Sequence, residues 1–143
     1  MIKKIFAPAY NSASANFALF VLRVWIGLQM FFLHGLDKLM HFSQYQAHFV
    51  DPFGLGVTAS LALSVFAEFF ASLLLIFGLV TRFAAFVLII NMTVAFIVGQ
   101  HGKLTGGGEL PFVYLLIYVV IFLAGPGKIS LDKALFGKPA SRA

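Results

Sequence analysis

Four long apolar stretches, separated by short polar or glycine-rich segments, constrain this 143-residue sequence more than any other feature. A helix needs roughly 20 apolar residues to cross a bilayer, so the chain has room for four such helices and little else. Only 10% of its residues are charged, whereas soluble domains carry about a quarter. We therefore predict an all-α integral membrane protein, a single domain built as a four-transmembrane-helix bundle.

Turn and cap residues predict the limits of the four spans, at about residues 17–40, 58–78, 81–101 and 110–125. Gly78 and Thr81 predict a tight turn between the second and third spans. A Gly-Pro-Gly segment at 125–127 ends the fourth span, because proline and glycine break helices. Candidate N-terminal caps for the first, second and third spans and for a short helix over 131–136 are hydroxyl or amide side chains: Ser14 or Asn16, Thr58 or Ser60, Thr81, and Ser130.

The distribution of basic residues predicts the orientation of the bundle. One side of the predicted membrane carries seven of them, and the other side carries only two, Lys38 and Lys103. Since cytoplasmic loops are enriched in Lys and Arg, we expect both termini in the cytoplasm, on the side of the following residues: Lys3, Lys4, Arg82, Lys128, Lys133, Lys138 and Arg142.

Ionisable residues inside the predicted spans mark function or specific pairing, because charge at membrane depth is costly. Arg23 and Glu68 lie within the first and second spans, and we predict that they pair between helices. The wider intramembrane polar cluster predicted from the sequence comprises Arg23, His34, Lys38, Glu68, Asn91, His101 and Tyr114.

Helical periodicity places several polar or small residues on shared faces. In the first span this face carries Arg23, Gly27, Met30, His34, Lys38 and His41. In the second span it carries Ser60, Ser64, Glu68 and Ser72, in the third Ala84, Asn91, Ala95 and Gly99, and in the fourth Tyr114 and Tyr118. Small residues let helices approach closely, and helix packing is the favoured interpretation of Ser60, Ser64, Ser72 and Asn91.

The chain contains no cysteine, which excludes thiol–disulfide chemistry, iron–sulfur ligation and covalent haem attachment by its own residues. His34 and His101 are weak candidates for a haem or metal site, and ordinary interfacial histidines are the favoured interpretation. The sequence contains no phosphate-binding loop, dinucleotide motif or nucleophile elbow. The basic residues predict topology rather than a nucleic-acid interface.

Four segments resemble the DoxX family of small four-helix bacterial membrane proteins: LRVWIGLQMFFLHGLDKL, FAEFFASLLLIFGLVTRFAAFVL, GGELPFVYLL and GPGKISLD. The residues that the family pattern features are Arg23, His34, Gly35, Lys38, Glu68, Gly78, Arg82, His101, Tyr114 and the turn at 125–127. The resemblance implies a multi-pass protein of the bacterial cytoplasmic (inner) membrane. It also implies association with quinol oxidases, thiosulfate:quinone oxidoreductases, membrane redox-defence assemblies or clusters that handle metals and modified peptides.

These observations favour a membrane subunit of a quinone-linked redox complex that is not catalytic alone. A quinone site needs an apolar slot with polar groups near the carbonyls, for which His34, Glu68 and Tyr114 are the candidates. The expected partners are the lipid bilayer and either other subunits or further copies of this chain. Two alternatives stay open: a small-molecule or metal transporter subunit, and a non-catalytic scaffold or assembly factor.

Overall fold

The computed structural model describes residues 12–137, and helices account for all regular secondary structure in that range. Four long helices are present: α1 (Ser12–Met40), α3 (Val57–Phe77), α4 (Thr81–Gly99) and α5 (Glu109–Ala124). Two short helices, α2 (Phe42–Gln46) and α6 (Leu131–Phe136), follow α1 and α5. The all-helical prediction is confirmed. Four of the basic residues that were assigned to the cytoplasmic side, at positions 3, 4, 138 and 142, lie outside the described residues.

Helices α1, α3 and α4 are long and apolar enough to cross a membrane, and α5 is a shorter apolar helix of 16 residues. A 16-residue helix is about 24 Å long, somewhat less than the roughly 30 Å of a hydrocarbon core. Large apolar side chains such as Phe66, Phe83 and Phe86 point outward from the bundle and are about half exposed. Lipid is the solvent that makes such a surface stable.

The bundle core combines apolar side chains from all four long helices. Leu75, Leu88 and Tyr118 are completely buried within it. The connections 41–56 and 100–108 lie at one end of the bundle, which we call the outer end. The turn at 78–80 and residues 125–137 lie at the opposite, inner end.

Helices α1 and α3 pack antiparallel in a register that glycines define. A Cβ added at Gly27 would lie 2.7 Å from Ile76, and one added at Gly35 would lie 2.6 Å from the Glu68 carbonyl group. One added at Gly78 would meet the guanidinium of Arg23. The backbones therefore approach closely at Gly35, and Arg23 lies level with Gly78.

Three of the long helices contain a π-helical turn: Phe31–Gly35 in α1, Phe66–Ala71 in α3 and Ala95–Gly99 in α4. Such turns insert an extra residue into a helix and often occur at functional sites. The turns of α1 and α3 meet where Gly35 contacts Glu68.

Carboxylates rather than hydroxyl side chains accept the amides at the starts of α4 and of the segment before α3, so the predicted caps there are wrong. The amides of Val80 and Thr81 donate to the Asp132 carboxylate, about fifty residues away, at 2.6 and 2.8 Å, and Thr81 is therefore not the cap. Helix α3 starts at Val57, before both predicted caps, and has no side-chain cap. The amides of Leu55 and Gly56, just before this helix, donate to the nearby carboxylate of Asp51.

The remaining predicted helix ends have mixed outcomes. Gly78 ends α3 in a left-handed conformation with φ 69°, as predicted. Ser130 caps α6 by accepting from the Lys133 amide at 3.2 Å, which is also as predicted. Helix α1 is already helical at Ser12, and Asn16 instead accepts from the Lys128 amide at 2.7 Å.

Candidate functional site

Glu68 is a buried carboxylate near the middle of α3, with 2% of its surface exposed. It lies eleven residues after Val57 and nine before Phe77, which places it about 16 Å and about 14 Å from the two helix ends at 1.5 Å per residue. A buried charge at this depth is stable only when partners compensate it.

Three side chains converge on one oxygen of Glu68. Lys38 Nζ lies 2.7 Å from Glu68 Oε1 and forms a salt bridge. The Asn91 amide donates to the same oxygen at 2.9 Å, and the Ser64 hydroxyl donates at 3.2 Å. Lys38 also donates to Ser64 Oγ at 3.3 Å. We call Lys38, Ser64, Glu68 and Asn91 the central cluster.

The predicted Arg23–Glu68 pair is wrong. Arg23 donates instead to the carbonyl of Ile129 at 2.6 Å, at the inner end of the bundle. The antiparallel register explains the difference, because Arg23 precedes Gly35 by twelve residues, or about 18 Å of helix, and Gly35 is the residue level with Glu68.

A cavity of about 540 Å³ adjoins the central cluster. Lys38, Ser64, Glu68 and Asn91 all line it, together with apolar side chains of α3 and α4. Residues of the 41–56 connection, including Phe49, close its outer end. We call this space the central cavity. Its position between α3 and α4 brings polar groups at membrane depth into contact with an otherwise apolar volume.

Several hydrogen-bonding groups of the cluster remain unused. Glu68 Oε2 is buried and accepts no hydrogen bond from any described residue. The Lys38 ammonium carries three N–H groups, of which Glu68 and Ser64 accept two. The Asn91 side chain uses one amide N–H on Glu68, which leaves its carbonyl oxygen and second N–H. A buried polar atom without a partner is costly, so Glu68 Oε2 favours a polar molecule in the cavity, and the partly exposed Lys38 and Asn91 can contribute further hydrogen bonds to it.

The three serines and the asparagine that were assigned to helix packing have different outcomes. Ser64 and Asn91 bond to Glu68, and Ser60 donates to Asp51 at 2.9 Å, so packing alone is wrong for these three. Ser72 is completely buried, and its hydroxyl finds no partner in residues 12–137, as packing predicts. The predicted small face of α4 is divided: Ala84 packs in the bundle core, whereas Ala95 and Gly99 line the central cavity, and a Cβ at Gly99 would meet nothing within 4 Å.

The other predicted site residues lie outside this cavity. His34 packs edge-on against the ring of Tyr114, with centroids 5.7 Å apart, and Tyr114 stacks on Tyr118 at 6.1 Å. Neither His34 nor Tyr114 is among the residues that line the central cavity. His101 lies beyond the end of α4, exposed and at φ 53°. In the described part of the chain, no group of three or more His, Cys, Asp and Glu side chains is arranged to hold a metal ion.

A second polar group lies at the outer end, and the sequence analysis missed it. His41 Nδ1 is 3.0 Å from Asp37 Oδ1, and the Tyr45 hydroxyl donates to Asp37 Oδ2 at 2.5 Å. The hydrogen bond to Asp37 raises the pKa of Tyr45 above its usual value. These residues line an outer cavity of about 420 Å³. The four-residue spacings Asp37–His41–Tyr45 are the sequence signal that would have revealed the group.

Comparison with known families shows what the chain is related to. A family model for DoxX matches residues 18–101, which is more than half of the sequence. The chain belongs to the DoxX family. The DoxX match covers α1, α3 and α4 and therefore every member of the central cluster. Helix α5 lies outside the matched residues, although the sequence resemblance had included it.

Two relatives from Haemophilus influenzae support this DoxX assignment. One is 34% identical over 116 residues, covering 76% of this chain and 84% of the relative. The other is 32% identical over 124 residues, covering 80% and 81%. Both are described as uncharacterized proteins. No solved structure matches the chain. The family thus establishes a multi-pass membrane protein, and the chemistry has to be argued from the central cluster.

Proposed function

We propose that this DoxX protein is a membrane subunit of a quinone-linked redox complex and that the central cavity is its quinone site. The observation that carries the proposal is the buried salt bridge of Lys38 and Glu68, which lies beside an apolar cavity near the middle of the bundle. Small-molecule sites are mostly apolar clefts of about 300–1,000 Å³ with a few convergent polar groups, and the central cavity has this character.

The polar groups of the site suit a quinone head group. Lys38 and Asn91 retain N–H groups that can donate to a carbonyl oxygen. Glu68 offers a carboxylate that can accept from a hydroxyl, the group that replaces a carbonyl when a quinone is reduced. Phe49 and Phe66, which line the cavity, supply aromatic surface for a flat ring. Exposed lining residues such as Leu63 and Ile90 leave room for an apolar tail towards the lipid.

Proton transfer is the chemistry that the protein itself contributes to this proposal. Reduction of a quinone takes up two electrons and two protons, and the electrons are exchanged with the redox centre of the partner complex. Glu68 gives up both protons to the quinone, one after the other, at Oε2, the oxygen without a partner among the described residues, and it takes up a new proton between the two transfers. Lys38 and Asn91 hold the other carboxylate oxygen in place.

The orientation predicted by the basic residues belongs to the same proposal. Both termini and the inner end face the cytoplasm, and the outer end faces away from it. The membrane is then the bacterial inner membrane, and α5 completes four crossings. Binding to further subunits or to other copies of the chain is part of this proposal as well.

Glu68→Gln tests the proposed site, and Glu109→Gln is the matched control because Glu109 is an exposed carboxylate at the start of α5. Quinone bound to protein purified from native membranes is measured by mass spectrometry, followed by titration with a short-chain quinone in nanodiscs. A hydrogen bond to a charged group contributes about 1.5–3 kcal/mol, so we expect at least about tenfold weaker binding for Glu68→Gln and unchanged binding for Glu109→Gln.

Equal quinone binding by the two variants would contradict the proposal. Proton or metal flux into liposomes that contain the pure protein would favour the transporter alternative. Wild-type protein that carries no quinone but elutes with a specific partner would favour the scaffold alternative.

A further inference from the structure

We infer that Glu68 communicates with the outer aqueous face alone, through the outer site formed by Asp37, His41, Tyr45 and His48, with Phe49 closing the route. This inference rests on the proposed function in assigning the transferred proton to a quinone. The route itself follows from the two cavities and is tested separately.

The central and outer cavities share a wall. His48 and Phe49 line both of them. Lys38 and Asp37 are adjacent in α1, and Lys38 lines the central cavity while Asp37 lines the outer one. Successive residues of a helix point about 100° apart, so one turn of α1 presents a charged side chain to each cavity.

The ring of Phe49 lies where the two cavities adjoin. Its centroid is 5.7 Å from Lys38 Nζ, within the range of a cation–π contact. The short connection that carries Phe49 is irregular after α2, since the chain from His48 to Gly56 contains no helix. A side chain on such a segment can move with little loss of packing. Phe49 is therefore positioned to separate the two cavities when it lies against Lys38 and to join them when it moves away.

The outer site has groups that accept and release protons. Asp37 bonds both His41 and Tyr45, and His48 lies between this group and the central cavity. The two ring nitrogens of a histidine can donate and accept hydrogen bonds, so His48 is suited to pass a proton by Phe49. Each proton that Glu68 takes up would then come from the outer side.

Towards the inner end, by contrast, an apolar layer follows Glu68. Ala71 and Leu75 of α3 are 2% and 0% exposed, and Leu88 of α4 is also completely buried. Close packing of this kind excludes water. Within the described residues this layer separates Glu68 from the inner end, and the one hydroxyl beside Ala71, that of Ser72, is buried without a partner there.

Other titratable groups lie near Glu68 and must be weighed. They are Lys38 and His34 on α1 and Tyr114 and Tyr118 on α5. Each of the four interacts electrostatically with the Glu68 carboxylate. Asn91 on α4 is polar but does not titrate. The aromatic pair lies on the far side of the core, and the Tyr118 hydroxyl is buried without a partner among the described residues. The stacked side chains of Tyr114 and Tyr118 therefore stop inside the bundle.

The absence of cysteine from the sequence permits a clean accessibility test. Ser64→Cys and Ser72→Cys place one thiol each, four residues before and four after Glu68, on the same face of α3. Ser64 lines the central cavity, whereas Ser72 does not. A membrane-impermeant, charged methanethiosulfonate is added to right-side-out and to inside-out membrane vesicles, and modification of each thiol is followed over time.

We expect Ser64→Cys to react from the outer side only, and at least about tenfold faster than Ser72→Cys, because a thiol buried in apolar surroundings is inert. Phe49→Ala in the Ser64→Cys background should speed the reaction about threefold, as expected for loss of a single ring contact. Phe53→Ala is the control, since Phe53 lines the central cavity but not the outer one.

Reaction of Ser64→Cys from the inner side, or no reaction from either side in protein that elutes as a folded species, would overturn the inferred route. An unchanged rate in Phe49→Ala would overturn the role of Phe49. Because no quinone is present in this assay, its result does not depend on the quinone titrations. Outer-side labelling without quinone binding would keep the route and reject the proposed function.

Discussion

The inner end and the central cluster both bury a charged side chain, but they use it differently. Arg23, 2% exposed, donates to the backbone carbonyl of Ile129 and packs against Gly78. Glu68, equally buried, is held by the side chains of Lys38, Ser64 and Asn91 next to a large cavity. Both side chains are buried to the same extent, but Arg23 is a cation and Glu68 is a carboxylate. The kind of partner and the adjoining space differ.

The inner end therefore has the character of a structural joint. The Asp132 amide donates to the Gly78 carbonyl at 2.8 Å, while its carboxylate accepts from Val80 and Thr81. These contacts fix residues after α5 to the turn between α3 and α4. Their atoms are mainly backbone atoms, although Nε and Nη1 of Arg23 and the Thr81 hydroxyl are buried without a partner among the described residues. A buried charge in a membrane protein thus indicates a functional site only when side-chain partners and space for a ligand accompany it.

The largest expected effect on stability comes from removing one partner, Lys38, of the salt bridge between Lys38 and Glu68. Lys38→Met leaves Glu68 buried without its cation, which typically costs about 3–5 kcal/mol, so thermal unfolding in detergent should occur at much lower temperature. The double variant Lys38→Met/Glu68→Gln should recover most of this loss, because no buried charge is left unpaired.

Arg23→Met provides the comparison between the two regions. It should also destabilise the protein, because the Ile129 carbonyl loses its donor, but Glu68→Gln should not rescue it. Rescue of Arg23→Met by Glu68→Gln would show that Arg23 and Glu68 are coupled after all.

The second effect concerns the close approach of α1 and α3. Gly35→Ala should destabilise the bundle by about 1–3 kcal/mol, the usual cost of overpacking, because the new Cβ meets the backbone of Glu68. Gly99→Ala is a matched control, since both glycines lie in π-helical turns and Gly99 faces open space. Equal unfolding temperatures for the two variants would contradict the register described for α1 and α3.

A smaller effect is expected at the inner end. Asp132→Ala removes the acceptor for the Val80 and Thr81 amides, and losing a helix cap costs about 0.5–2 kcal/mol. The unfolding temperature should fall moderately while quinone binding in the folded protein is unchanged. Lys133→Ala, a neighbouring exposed side chain, should leave both quantities unaltered. Loss of quinone binding in Asp132→Ala would contradict a purely structural role for the inner end.

The smallest effect is a pH dependence at the outer end. Hydrogen bonds from the Gly56 amide, the Ser60 hydroxyl and the Leu55 amide lower the pKa of Asp51 below its usual 3.8. Folding is therefore favoured by ionised Asp51 above that value, and this contribution is lost as the pH falls through the lower folded-state pKa. Unfolding temperatures of Asp51→Asn should depend less on pH in this acidic range than those of the wild type. Parallel curves would rule out this role.

The amino-acid sequence predicted the helices well because each apolar stretch is long enough to leave few alternatives. The inward faces of the helices were also predictable, since the stripe from Arg23 to Lys38 follows helical periodicity and is largely buried. Lys38, Glu68 and Asn91 belonged to the predicted polar cluster, whereas Ser64 was interpreted as a packing residue. Their mutual contacts were not predicted.

Partner choice depends on the register between helices, which no single stretch encodes. Counting residues from the predicted helix ends suggested that Arg23 reaches Glu68, whereas close packing at Gly35 sets Lys38 there instead. Asp132 was missed for a related reason, because it binds the amides at the start of α4 from a separate segment of chain. The central cavity arises only when α3 and α4 are packed together, so serine and asparagine near it were interpreted as packing residues.

The central claim is that the cavity beside Glu68 holds a quinone, and filling that cavity tests it most directly. Gly99→Leu introduces a side chain into the open space, and Ala62→Leu is the control because Ala62 is exposed on α3 and lies outside the cavity lining. Both proteins are titrated with a radiolabelled short-chain quinone in nanodiscs. We expect Gly99→Leu to fold normally and to lose at least about tenfold in affinity, the equivalent of roughly 1.4 kcal/mol, and Ala62→Leu to bind like the wild type. Undiminished binding by folded Gly99→Leu would contradict the central claim.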